Sequence, residues 1–278
     1  MTNSEKHEPA LNQVVGRRIM MRNILAAGAI IANAACTHDD GSTCTHDDGS
    51  NGSNGDYGHN GKCFLKGAKI RTADGDRKVE ELAAGDMLPT LFGGVRPIRW
   101  VGRYSYGKSD PSKPWANDAR PVRIARSALA PNVPSADLFV SSGHALFVDD
   151  VLVPARDLIN GITITRYAAE EFDKLEYYHI KLDGHDVIYA EGAACETLLA
   201  VREHASNFAE YAFAYSESET LDSPCAPLVS YHGRRGRLRS RFRSAIAPWY
   251  DRREMLDIIR DRLEERAFAL CKGRKRAA

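Results

Sequence analysis

A chain of 278 residues, 43% apolar and 27% charged, is sized for one large domain or two modest ones and sits near the soluble globular average. Those values exclude collagen-like, fully disordered and polytopic membrane classes. The formal charge of +1 conceals opposite ends: residues 36–61 hold five Asp and no Lys or Arg, while residues 230–278 hold fifteen Lys/Arg against six Asp/Glu.

Residues 1–35 read as an export signal. Gly16-Arg17-Arg18-Ile19-Met20-Met21-Arg22 precedes an uncharged run of 12 residues, Ile24 to Ala35, that closes on small side chains. A spanning helix needs about 20 residues, so this run is a signal core rather than an anchor. The paired Arg resembles a twin-arginine signal, which places the protein outside the cytoplasm, in the periplasm or beyond. A short N-terminal helix packed on the domain is the plainer alternative. Cys36 after Ala34-Ala35 offers a lipidation site that would tether the chain to a membrane, although Asn33 stands where such sites carry Leu.

Residues 36–62 form an acidic linker. Cys36-Thr-His-Asp-Asp-Gly-Ser recurs at Cys44-Thr-His-Asp-Asp-Gly-Ser, and Gly, Ser, Asn and Asp continue to Gly61. Such a segment cannot offset its ordering entropy by burial, which predicts a flexible tether. Thiols and imidazoles at Cys36, His38, Cys44 and His46 also suggest metal binding, but a duplicated low-complexity linker is the simpler reading. Six Cys are too few for a disulfide scaffold in a chain this long, and the lack of any CxxC pair argues against a structural zinc site of the common spacing.

From Cys63 to about residue 200 the pattern becomes short β segments between turns. Lys69–Thr72, Ile98–Val101, Leu138–Val140, Ala145–Val148, Val151–Val153, Ile162–Ile164, Tyr177–Leu182 and Val187–Tyr189 are the predicted strands. Asp149-Asp150 joins two of them as a tight hairpin, Ala73-Asp74-Gly75-Asp76 signals a turn, and residues 104–119 read as a loop. This predicts an all-β domain. The remaining region, 201–278, is basic and helical. Leu256, Ile259, Leu263, Ala267 and Leu270 fall at helical spacing within 255–270. Ahead of them runs the set Arg234, Arg235, Arg237, Arg239, Arg241 and Arg243. No recognition motif accompanies these charges, so a solvated or membrane-surface face is expected and nucleic-acid binding is not.

Cys63 opens the β domain directly after the tether. A thiol there can attack its own upstream carbonyl, that of Lys62, and pass through a five-membered ring to a thioester. An amide is a poor acyl donor, so the leaving nitrogen needs a general acid, for which a histidine supported by hydroxyl donors is suited.

The residues around Cys63 match a known pattern. Cys63-Phe64-Leu65-Lys66-Gly67-Ala68-Lys69-Ile70-Arg71-Thr72-Ala73-Asp74-Gly75, with Leu82-Ala83-Ala84-Gly85-Asp86, resembles the first motif of Hedgehog/intein (Hint) domains. Ser141-Ser142-Gly143-His144 resembles their Thr-x-x-His motif, with Ser141 in the Thr position. Tyr177-Tyr178-His179-Ile180-Lys181-Leu182 with His185-Asp186 resembles the penultimate motif. Pro154-Ala155-Arg156-Asp157-Leu158 and Cys225-Ala226-Pro227 are similar to a bacterial branch with a trailing region.

The resemblance implies an all-β, pseudo-twofold horseshoe of short strands and self-processing by an N–S acyl shift, with no cofactor. It makes Cys63 the nucleophile, His144 the group that protonates or polarises the Lys62–Cys63 peptide, and Ser141 the residue that orients it. His185, with His179 or Asp183, would assist a later proton transfer. The substrate is the chain's own N-terminal segment, and water or a small nucleophile is the acyl acceptor.

Departures limit the chemistry. Inteins end in His-Asn so that Asn can cyclise. Here Cys195-Glu196 stands in that place and the chain continues, which predicts cleavage without full splicing. His179 stands where inteins usually carry Asp, and Lys62 stands where Hedgehog proteins carry Gly. The alternative reading is a non-catalytic Hint-fold binding module that docks through its basic C-terminal region, with salt-sensitive binding.

Overall fold

In the computed structural model, residues 62–108, 110, 112–199, 223–231 and 233–277 are described. The export-signal pattern and the Cys36/Cys44 repeat, with its lipidation and metal readings, lie outside them.

Period-2 alternation appears where one face is buried. In β2 (Lys69–Thr72), Ile70 and Thr72 point inward and Lys69 and Arg71 outward. The chain turns through Ala73-Asp74 into β3 (Gly75–Lys78), where Gly75 adopts φ +115°, a conformation that favours glycine. Next come β4 (Met87–Pro89), β5 (Val95–Pro97) and the long β6 (Trp100–Gly107), followed by β7 (Val122–Ile124) and β8 (Leu138–Val140). The hairpin of β9 (Ala145–Val148) and β10 (Val151–Pro154) closes through Asp149 (φ 50°) and Asp150 (φ 64°). Two consecutive positive φ values make this the mirror-image turn that matches strand twist, and Asp tolerates it. The remaining strands are β11 (Ile164–Arg166), β12 (Lys174–Lys181), β13 (Val187–Ala190) and β14 (Ala193–Glu196).

The strands form two six-stranded antiparallel sheets, ordered β11-β7-β8-β1-β12-β6 and β10-β9-β14-β13-β2-β3, plus the small β4-β5 pair. β1 (Phe64–Leu65) lies inside the first sheet, between β8 and β12. Ile98 precedes β6 rather than belonging to it. The expected 162–164 strand sits two residues later, at β11. Part of the expected 104–119 loop is strand, since β6 runs to Gly107 and pairs with β12 throughout. Trp115 in that loop is buried, its Nε1–H donating to the carbonyls of Ala169 (2.9 Å) and Phe172 (3.2 Å).

The last region packs onto the sheets. Residues 227–229 bond to Leu152 of β10 on both sides, Leu152 N–H to the Pro227 carbonyl and Val229 N–H to the Leu152 carbonyl, each at 2.8 Å. An otherwise open sheet edge is covered in this way. Helix α1 (Gly233–Ile246) carries the arginine run, and α2 (Met255–Ala277) contains the predicted amphipathic stretch. Leu256, Ile259 and Leu263 of α2 are buried in the same cluster as Phe64, Ile70, Val140, Leu146 and Ile180. Arg243 of α1 clamps Asp257 of α2 with two bonds, 2.6 and 3.2 Å.

Shared burial of this kind makes α2 part of the β domain's stability. Ile259→Ala should cost about 2–5 kcal/mol in urea unfolding followed by far-ultraviolet circular dichroism and by the fluorescence of Trp100 and Trp115. An unchanged midpoint would show that the helix is an appendage.

Candidate active site

The site is assembled by strand register. Phe64 faces Tyr178 on one side and Val140 on the other. One residue earlier, the antiparallel register sets Cys63 against His179 of β12 and Ser141 just past β8. Directly opposed residues share a face, and the contacts follow. Cys63 Sγ lies 2.7 Å from His179 Nε2. The Cys63 N–H donates to Ser141 Oγ at 2.9 Å, and the Ser141 N–H donates to the Cys63 carbonyl at 2.9 Å. On the far side of His179 its pairing partner is Gly102 of β6, and the Trp100 ring occupies the space that a side chain there would need.

The Cys63 side chain enters an apolar cluster with Leu65, Trp115, Ala119, Leu175 and Tyr177, against which Tyr106 packs. Tyr177 is fixed by donating its hydroxyl to the Ala119 carbonyl at 2.8 Å. Burial pushes the Cys63 thiol far up, and the Ser141 hydroxyl opposes this only in part. At neutral pH the group is therefore a thiol, and nucleophilic attack needs a base. His179 is in position to be that base.

His144 is buried at the next turn, its ring tilted against Phe64 with centroids 4.4 Å apart. Neither ring nitrogen makes a well-formed hydrogen bond among the described residues, although the Lys62 carbonyl is near enough to act on the ring. Burial pushes His144 down to about 4, and the Lys62 ammonium adds to the shift. The Glu196 carboxylate and the Lys62 carbonyl oppose it. A neutral imidazole with unspent nitrogens thus faces the peptide between Lys62 and Cys63.

Glu196, at the end of β14, organises the charges. Its carboxylate accepts from the Ala145 N–H (2.7 Å) and from Lys62 Nζ (3.2 Å), and lies 3.5 Å from His185 Nε2. Burial alone would raise its pKa. His185, Lys62, His144 and the Ala145 amide outweigh burial and hold it at about 2. His185 is buried and its Nδ1 accepts from the Cys225 N–H at 3.0 Å, so the segment after the 200–222 stretch returns to the site.

The structure therefore groups Cys63, Ser141, His144, His179 and His185. It leaves Asp183 out: that residue is about half exposed and pairs with Arg99. Physically, Asp183 follows the end of β12, past the register that aims His179 at Cys63. Sequence reasoning missed Glu196 and the Tyr106/Tyr177 wall as site residues. The one signal for Glu196 was its place where inteins carry their terminal His-Asn.

A family model for the Hint domain matches residues 62–202, just over half of the chain. The chain belongs to the Hint domain family. Among solved structures, this Hint protein is similar to a DnaB intein from Synechocystis (8% identity, TM-score 0.36, covering 49% of this chain and 99% of that one). It is also similar to a bacterial intein-like domain from Clostridium thermocellum (14%, 0.35, 50% and 99%) and to the gp41-1 intein (12%, 0.33, 49% and 98%). No curated protein matches it. The fold of this family carries a general capability for self-processing.

The buried pair His144 and Glu196 gives the domain an acid signature. His144 is depressed from 6.5 to about 4, so the unfolded chain takes up a proton first as pH falls below 6.5. Stability is full above pH 6.5 and falls by about 3 kcal/mol by pH 4 from this group. Glu196, depressed from 4.5 to about 2, adds its loss only below 4.5. Urea midpoints at pH 7.5 and 4.8 should differ markedly in the parent and much less in His144→Gln; equal slopes in both would refute the assignment.

Proposed function

We propose that the chain cleaves itself at the Lys62–Cys63 peptide by an N–S acyl shift. The observation that carries this reading is the 2.7 Å contact between Cys63 Sγ and His179 Nε2, made while Ser141 holds the same residue's N–H. His179 takes the thiol proton as sulfur bonds to the Lys62 carbonyl carbon. The tetrahedral intermediate collapses as the proton held by His179 is delivered to the Cys63 nitrogen, which the N–H of neutral His144 polarises, and the C–N bond breaks, so that both imidazoles end neutral. The products are a Lys62–Cys63 thioester and a free Cys63 amine, with no change in redox state. Water or a small nucleophile then adds to the thioester, freeing the thiol and leaving the upstream segment with a carboxylate or the corresponding acyl product.

Several features support this course. The Lys62 ammonium is anchored on Glu196, which fixes the residue upstream of the reacting bond. A cavity of about 330 Å3, lined by Tyr106, Trp115 and Ala119, adjoins the apolar cluster that holds Cys63 and gives an acceptor a way in. With Glu196 where inteins place their terminal residues, no side-chain amide is available to cyclise, so splicing does not follow. Cleavage would separate residues 63–278 from the segment that carries the export-signal pattern, and from any membrane tether at Cys36.

The test is the intact mass of the chain lacking residues 1–35, with and without dithiothreitol. A species beginning at Cys63, accelerated by thiol and absent in Cys63→Ala, is expected. His179→Ala and His144→Ala should each slow its appearance by about 10²–10⁴-fold, and Asp183→Ala should leave it unchanged. A single uncut mass in every tube would sink the proposal. It would favour a non-catalytic binding module that docks through the exposed arginines 235, 237, 239 and 241 of α1.

A further inference from the structure

Where α1 and α2 meet the β domain there is a cavity of about 320 Å3 into which five arginines converge. Arg156 follows β10 and Arg166 ends β11. Arg237 and Arg241 stand one turn apart on α1, and Arg260 comes from α2. The one carboxylate in the lining, Asp157, is already occupied: it accepts from the Ser230 hydroxyl at 2.7 Å and from the Tyr231 N–H at 3.3 Å. Five guanidinium groups meet one carboxylate in the lining, and with Asp261 already paired to Arg260 the balance around this partly open space is about +3.

Three of the arginines are not compensated by carboxylates of the protein: among the described residues, Arg156, Arg237 and Arg241 make no ion pair. Arg166 donates to the Asn117 carbonyl at 2.7 Å; partial burial, Arg120 and Arg237 disfavour its charge, and the Asp118 carboxylate opposes them only in part. Arg260 is the second, independent sign. Its side chain is 7% exposed and spends its Nη atoms on Ser240, Ser244 and Asp261. Its Nε is buried without a hydrogen bond, the Glu264 carboxylate standing 3.7 Å away.

Like charges this close repel unless an anion sits among them, and guanidinium forks match tetrahedral oxyanions two bonds at a time. The space is that of about ten waters at roughly 30 Å3 each, too large for a halide and suited to one or two phosphate groups. We propose that this cavity is a binding site for a phosphate-type oxyanion, which would bridge the β domain and the helical pair. The proposal does not depend on self-cleavage.

Thermal melting and calorimetry of the purified chain with inorganic pyrophosphate test it, at ionic strength matched with sodium chloride. Pyrophosphate should raise Tm by several degrees where chloride does not. Arg156→Gln/Arg237→Gln should lose at least tenfold in affinity while its ligand-free Tm stays unchanged or rises, because repulsion is relieved. Arg241→Gln alone serves as a second variant. Sedimentation with phosphatidic acid vesicles, lost in the double variant, would assign the phosphate to a lipid headgroup; pyrophosphate binding without sedimentation would assign a soluble anion. Pyrophosphate acting no better than chloride, or binding the double variant as tightly as the parent, would overturn the proposal.

Discussion

The constraint on which the rest depends is the register of a two-residue strand. β1 is too short to hold itself in place, yet it is paired on both sides, and its register fixes which side chains meet Cys63. A slip by one residue would send Cys63 to the opposite face and exchange His179 and Ser141 for Tyr178 and Val140. Phe64, fully buried beneath the site and against the His144 ring, ties the register to the core. The geometry around Cys63 and the packing of the core are therefore one problem here, solved by the same few residues.

The electrostatics point the same way. Cys63 and His144 are both held uncharged at neutral pH by burial, while Lys62 and Glu196 form an ion pair beside them. A buried carboxylate left alone would be costly. Glu196 is tolerable because the Ala145 amide, Lys62 and His185 surround it. The result is a site in which the Cys63 thiol and the His144 imidazole both rest uncharged.

Much of the fold was legible because its signals are local. The alternation of β2, the two aspartates of the β9–β10 turn and the apolar stripe of α2 each state their own conformation. The grouping of Cys63, Ser141, His144 and His179 was legible only through the motif pattern, since no local signal joins residues 63 and 179. Other features escaped for physical reasons. β4, β5 and β7 are three residues long, too short for a period to show. The loop before Ala119 looked polar because its one anchor, Trp115, is a single residue. An amphipathic stripe says that α2 must bury one face, but not that the face completes the core beneath β1. The arginines of α1 read as solvated charge, and four of them are exposed, but that two of these line a cavity with Arg156 and Arg166 of the β domain, some seventy to eighty-five positions away, leaves no local trace.

That shared core has a consequence in time. Cys63 immediately precedes β1, the first of the described strands to leave the ribosome, while Leu256, Ile259 and Leu263, which pack beneath it, lie some 190 to 200 residues later in the chain. The core beneath Cys63 is therefore complete only once α2 has been synthesised, and a chain broken off before residue 255 lacks that part of its packing.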